Sequence, residues 1–187
     1  MTQNHAASHG LPDYIRSDVQ VLFVGINPGL RSALVGHHFA GYSNRFWKAL
    51  YRSGFVPQPL TYLDDWRLPS WRLGLTNIVA RPSSGIHELT RSDYEAGRRV
   101  LLSKIKQYRP RVVAVLGLTL YSILFSTAGR GAKSKPGLQR ERLANVPVFL
   151  LPNPSGRNAS YSLDAMVQAF HELRIFLMHG EPVRPGR

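Results

Sequence analysis

No cysteine occurs in the 187 residues. Its absence excludes thiolate catalysis, cysteine-ligated zinc, iron–sulfur clusters and disulfide stapling together. Acidic residues are scarce, with 11 Asp and Glu against 24 Lys and Arg, for a net charge of +13. Long apolar runs are missing too. The longest strongly apolar stretch, Arg111–Leu118, is far short of the ~20 residues a membrane-crossing helix needs. Met1–Asp13 has neither a basic start nor an apolar stretch, so no signal peptide or anchor is visible and the expected compartment is the cytoplasm.

What is present is a folding composition. Hydrophobic residues make up 43%, and 16 Gly and 13 Pro are spread along the chain, which fits one globular domain over residues 1–187 with flexible termini at 1–16 and 180–187. A pI near 10.7 favours a polyanionic partner, because clustered Lys and Arg displace counterions from a phosphate backbone. Arginine supplies 19 of the 24 basic residues, a bias that codon usage also produces. Placement sharpens the charge signal. No acid lies between Asp18 and Asp64, where Arg31, Arg45, Lys48 and Arg52 fall, and none between Glu95 and Glu141, where ten basic residues run from Arg98 to Arg140. Two acid-free stretches suggest a continuous positive face.

Periodicity predicts four strands. Val19–Val24, Leu73–Val79, Arg111–Leu116 and Val146–Leu151 are nearly continuous apolar runs, as in a parallel sheet covered on both faces. Between them, Ser43 or Asn44 can cap a helix carrying Phe46, Trp47, Leu50 and Tyr51 toward the core, closed by Gly54. Thr90 or Ser92 can start another that runs to Tyr108 and stops before Pro110. Thr119–Ser126 reads as a short helix. Ser162 caps a last one, Leu163–Met178, with Leu163, Val167, Phe170, Leu173, Phe176 and Leu177 as its apolar stripe. Pro57–Trp71 reads as irregular and Gly129–Gly137 as a basic, glycine-rich loop. The expected fold is therefore α/β: a single three-layer α/β/α domain with a central, mainly parallel four-stranded sheet. Sites in such sheets form at the carboxyl ends of the strands. Gly25-Ile26-Asn27-Pro28-Gly29 and Pro152-Asn153-Pro154-Ser155-Gly156 would then share one rim.

Several familiar motifs fail. Gly131, Lys133 and Ser134 echo a phosphate-binding loop, but Ala132 interrupts the spacing and the segment follows a helix where a strand is required. His37-His38 lacks a nearby carboxylate, and adjacent side chains rarely converge on one metal, so no metal or cofactor is expected. No Gly-x-Ser-x-Gly elbow is present.

Five ordered blocks remain: Gly25–Ala33, His38-Phe39-Ala40, Asn44-Arg45-Phe46-Trp47, Arg81-Pro82 and Leu151–Gly156. Together they resemble the mismatch-specific uracil-DNA glycosylase / thymine-DNA glycosylase family of the uracil-DNA glycosylase superfamily, over roughly residues 17–180. The resemblance implies a monofunctional glycosylase that removes uracil or other damaged pyrimidines from double-stranded DNA, preferring bases opposite guanine. It implies a monomer, located with the nucleoid. Asn27 matches the catalytic asparagine, an amide with no accessible pKa that can orient water but not deprotonate it. Phe39 matches the aromatic that stacks on the extruded base, and Gly25, Ile26, Pro28 and Ser32 would complete the base pocket. Asn153, Pro154, Ser155, Gly156 and Arg157 would contact DNA, with Gly156 and Arg157 at the wedge that fills the gap. Glu88 and Asp93 are held as auxiliary carboxylates. Substrate order among uracil, thymine, hypoxanthine and etheno-cytosine stays open. Two rivals stand beside this reading: a nucleic-acid-binding module of the same fold without catalysis, and a nucleotide-processing enzyme, which would need the missing phosphate loop.

Overall fold

A computed structural model describes residues 10–125 and 134–180. Most of the loop expected at Gly129–Gly137, the end of the helix expected at Ser126 and the outer parts of both termini lie outside the described residues. Four parallel strands form the centre: β1 (Val21–Gly25), β2 (Leu73–Asn77), β3 (Val112–Leu116) and, in sheet position four, Val146–Leu151. β1 pairs with β2 and β3, and β3 with Val146–Leu151, all parallel.

The sheet has a fifth strand, which corrects the four-stranded expectation. Gly137–Leu143 is β4, and it runs antiparallel along β5 (Val146–Leu151) at the sheet's edge, in the order β2-β1-β3-β5-β4. Its Arg140, Glu141 and Arg142 give it the look of a continued basic loop, yet charges are what an exposed edge strand carries. The hairpin turns on Ala144 and Asn145, at φ +47° and +69°, without the Asn-Gly pair that usually announces such a turn.

Alternation along the strands sends side chains to two cores. Val21, Phe23, Val112 and Ala114 face α2 (Phe46–Arg52) and α5 (Leu163–His179). Leu22, Val24, Val113 and Val115 face α3 (Arg91–Tyr108) and α4 (Leu118–Phe125). This is the three-layer arrangement. On the first face Phe23 meets Phe46 edge-on at 5.3 Å and stacks on Phe170 at 5.8 Å. Met166, Ala169, Phe170 and Leu173 form the buried line of α5, with Leu163, Val167, Phe176 and Leu177 only half-buried, and Tyr51 of α2 is exposed rather than core.

Helix ends follow local chemistry. Thr90 and Asp93 form a reciprocal capping box that starts α3, and Ser162 accepts from Ala165 N to start α5. Asn44 Oδ1 accepts from Phe46 N at 3.0 Å before α2. Three helical elements were not expected, one of them the short 3₁₀ turn Ile86–Glu88. α1 (Leu30–Val35) follows Gly29 with no side-chain cap, and Tyr62–Trp71, within the stretch expected to be irregular, is a 3₁₀ helix with its own capping box from Thr61 and Asp64. Nor is the whole of 1–16 loose: Tyr14 pairs with Leu75 through two backbone bonds of 3.1 and 2.9 Å and packs on the core.

α3 lies close to the sheet because residue 97 has no side chain. A Cβ there would overlap the carbonyl oxygen and carbon of Ile78. Alanine is the better helix former by about 1 kcal/mol, but relieving that overlap means moving α3 off the sheet. Gly97→Ala is therefore expected to destabilise the fold by about 1–3 kcal/mol in denaturant unfolding, against the helix-propensity trend.

Candidate active site

The four parallel strands end at one rim, and the loops that follow them enclose a cavity of about 440 Å³. Gly25, Asn77 and Leu116 line it from the ends of β1, β2 and β3, and Asn153 from just beyond β5. Gly25–Ser32, Phe39, Ser83–Ile86 and Asn153–Arg157 complete most of the wall, so every residue proposed from the sequence for the pocket and wedge borders this one space.

Asn27 is held by its nitrogen. Nδ2 donates to Pro28 O (3.1 Å), Arg81 O (3.1 Å) and Ser83 Oγ (2.8 Å). Two of the three are carbonyl oxygens, which only accept, so they fix which end of the amide is nitrogen. Oδ1 is left without a donor among the described residues. Ser83, which is buried, donates its own hydroxyl hydrogen bond to Gly85 O at 2.9 Å, and the backbone repeats the tie between loops, Ser83 N donating to Pro28 O at 3.2 Å. Gly25 matters here by its missing side chain. A Cβ would come within 2.5 Å of Asn77 Oδ1.

Phe39 stacks on Phe46 with ring centroids 4.2 Å apart, which leaves its ring between the core and the cavity. Its backbone is left-handed, φ +53°, a conformation that costs a non-glycine residue roughly 1–3 kcal/mol. The neighbours hold it there. Ser32 Oγ accepts from Ala40 N on one side at 3.0 Å. On the other, Asp65 is completely buried and accepts from His38 N at 2.8 Å and from His37 Nδ1 at 3.0 Å. His38 Nε2 points at Pro12 O, 2.9 Å away, so that nitrogen carries the hydrogen. Burial pushes the His38 pKa down, keeping the ring neutral. The histidine pair that offered no metal motif is thus a strut under Phe39.

The second motif loop is joined to the segment before α2. Arg45 N donates to Pro154 O at 2.9 Å. The Arg45 guanidinium reaches Tyr161 O (2.6 Å), Asn158 O (2.8 Å) and Ser155 O (3.2 Å). Arg45 was expected on the positive face, and instead its charge is absorbed by three carbonyl oxygens that set the loop's shape. Gly156 packs so tightly on Ser43 that a Cβ would overlap its side chain. Asn153 Oδ1 accepts from Ser155 N at 2.9 Å, and the exposed Arg157 rests with Nη1 on Ser84 O at 2.9 Å, bridging the loops after β2 and β5.

Glu88 and Asp93 serve the framework and do not line the cavity. Asp93 accepts from Thr90 N, Thr90 Oγ1 and Arg81, and these bonds, Thr90 N first, hold its pKa down at about 2. Glu88 is engaged by Ser84 through both N–H and hydroxyl, which lowers its pKa as well. The residues that sequence reasoning missed are Ser83, Asn77 and Asp65. Ser83 directly follows the noted Arg81-Pro82 block in the loop after β2, a signal that could have placed it on the rim.

Removing Asp65 would leave the buried His38 N–H and the His37 ring without their acceptor. Asp65→Ala is expected to lower unfolding free energy by roughly 3 kcal/mol, measured by chemical denaturation.

Comparison with known proteins agrees with this architecture. The solution NMR structure of a protein from Methanosarcina acetivorans, itself provisionally assigned as a uracil DNA glycosylase, superposes with a TM-score of 0.57 at 16% identity, covering 89% of this chain and 98% of that one. At that identity the likeness speaks for the fold. The profile of the uracil DNA glycosylase superfamily matches residues 12–174. That span takes in all five strands of the described residues and the loops that follow the parallel ones, and the chain belongs to the uracil DNA glycosylase superfamily.

Proposed function

We propose that the protein is a monofunctional DNA glycosylase of the mismatch-specific type, which removes uracil from duplex DNA, prefers uracil opposite guanine, acts as a monomer and so initiates base excision repair. One observation carries this reading: a carboxamide on a cavity wall whose nitrogen is fully occupied and whose oxygen has no donor among the described residues. A free, immobile acceptor is what positions a water against the sugar carbon of an extruded nucleotide.

The chemistry follows from the parts. The bond between N1 of the pyrimidine and the sugar breaks with its electron pair leaving on the base. Water adds to the sugar carbon, and its proton ends on the departed base. Backbone N–H groups of the Gly25–Gly29 turn are suited to the leaving anion, since they are fixed before the reaction begins. Phe39 offers a flat ring to the base. Asn27 cannot take up the water's proton, so slow turnover is expected. No lysine lines the cavity among the described residues, in keeping with a product that is an abasic site on an uncut strand.

Preference for guanine partners has two supports. Uracil opposite guanine sits in a wobble pair that is cheaper to open than a regular pair, and flipping costs a few kcal/mol in all. Arg157 is long and planar, able to fill the vacated space, and a good contact to the orphaned guanine edge is worth roughly 1–3 kcal/mol.

Asn27→Ala should reduce single-turnover release of uracil from a G:U duplex by at least ~10²-fold with little change in duplex affinity; near-wild-type excision would remove Asn27 from the mechanism. Arg157→Ala should impair excision from G:U duplexes more than from single strands, where no gap needs filling. An equal loss on both substrates would make Arg157 a phosphate contact and end the wedge assignment.

A further inference from the structure

Arg31, in the first turn of α1, lines the cavity, and its surroundings differ from those of six other arginines. Arg52, Arg67, Arg72, Arg81 and Arg91 each lie beside a carboxylate, and Arg45 is enclosed by carbonyl oxygens. Arg31 donates from Nε to Ala40 O at 2.8 Å and from Nη1 to Tyr42 Oη at 2.7 Å, and among the described residues no carboxylate pairs with it. The guanidinium lies over the Tyr42 ring, Cζ 3.7 Å from the centroid. Tyr42 is 91% exposed.

A tyrosine left almost wholly in water contributes nothing to a core. Here it acts as a plate. Two neutral oxygens and an aromatic face fix the plane of the guanidinium without neutralising it. Nη2 and the second hydrogen of Nη1 have no acceptor among the described residues and can bind a ligand. A long cation on a protein surface ordinarily moves among many rotamers; this one is already ordered before any ligand arrives, so little of its freedom is lost on binding. Its place matters as much as its order. A nucleotide whose base lies inside the cavity has its own phosphates at the mouth, and a fixed guanidinium fork matches a phosphate in two-point geometry.

We propose that Arg31, plated on Tyr42, is a preformed phosphate-binding site at the lip of the cavity, taking a backbone phosphate of the DNA strand whose nucleotide enters it. The assignment rests on the glycosylase reading for its class of ligand. Its test does not need catalysis.

The probe is a duplex carrying a tetrahydrofuran abasic analogue opposite guanine, which has no glycosidic bond to break, with affinity measured by fluorescence anisotropy across a range of salt. Arg31→Gln keeps a donor for Ala40 O and removes the charge. Its slope of log affinity against log salt should be shallower than that of the unsubstituted protein by about 0.9, one phosphate's worth, so that the affinity lost between 50 and 200 mM salt shrinks about threefold. Arg31→Lys should keep the slope. Tyr42→Ala should also keep it while weakening binding at every salt concentration, because the cation is still there but no longer held. An unchanged slope in Arg31→Gln overturns the proposal, as does an Arg31→Lys slope as shallow as that of Arg31→Gln, which would trace the effect to local shape. Matching melting temperatures exclude misfolding as the cause. If the protein fails to release uracil yet the slope changes as described, the glycosylase reading falls and the phosphate site stands; active protein with unchanged slope gives the reverse.

Discussion

The Asn27 side chain has two polar ends, and the acceptors around Nδ2 decide which one is left over. Because Arg81 O and Ser83 Oγ belong to the loop after β2, the same bonds join that loop to the turn after β1. The parallel register between these strands, Gly25 opposite Asn77, brings the two loops to equal height, and without it the amide would keep only Pro28 O of its three acceptors. Everything else around the cavity is arranged about this junction. Phe39 is pressed in from one side by Asp65 and Ser32, and the loop after β5 is held by Arg45 on the other.

Much of the fold could be read from the chain, and the limits of that reading are physical. The four parallel strands are legible because strands covered on both faces need apolar residues at nearly every position. β4 is not, since an edge strand with one solvated side tolerates Arg140, Glu141 and Arg142 and leaves no apolar run. α1 is six residues long and starts without a polar cap, which removes both of the usual signs. Tyr51 shows the converse error: helical spacing placed it with Phe46, Trp47 and Leu50, but the fourth buried position of α2 is Ala49, and Tyr51 faces out.

In the candidate site, the motif residues were found by their order along the chain and their supports were not. Arg45 is a clear instance. In the sequence it is one more cation in an acid-free stretch, yet its partners lie 110–116 positions away, and no local pattern encodes three converging carbonyl oxygens. Asp64 and Asp65 make the same point side by side. The first caps a 3₁₀ helix in view of solvent, and the second is buried beneath the backbone of His38. The positive face accordingly shrinks from the one drawn by counting: Arg52 is paired with Asp164 and Arg45 is internal, while Arg31 and Arg157, which no carboxylate pairs among the described residues, bring their charge to the cavity itself.

The lack of any carboxylate among the described residues of the cavity wall, with His38 held neutral by burial, bears on how such a site can operate safely on a genome. On the proposed reading, water reaches the sugar carbon no more reactive than it is in bulk, so the rate depends on how readily the base departs with the electron pair. Uracil leaves as a comparatively stable anion; cytosine is a far poorer anion and would need a proton that no carboxyl group among the described lining residues is there to give. Feebleness then works as a filter. A normal base that happens to enter the cavity returns to the stack before its bond breaks, and the same amide that limits the repair of damage limits the harm done to intact DNA.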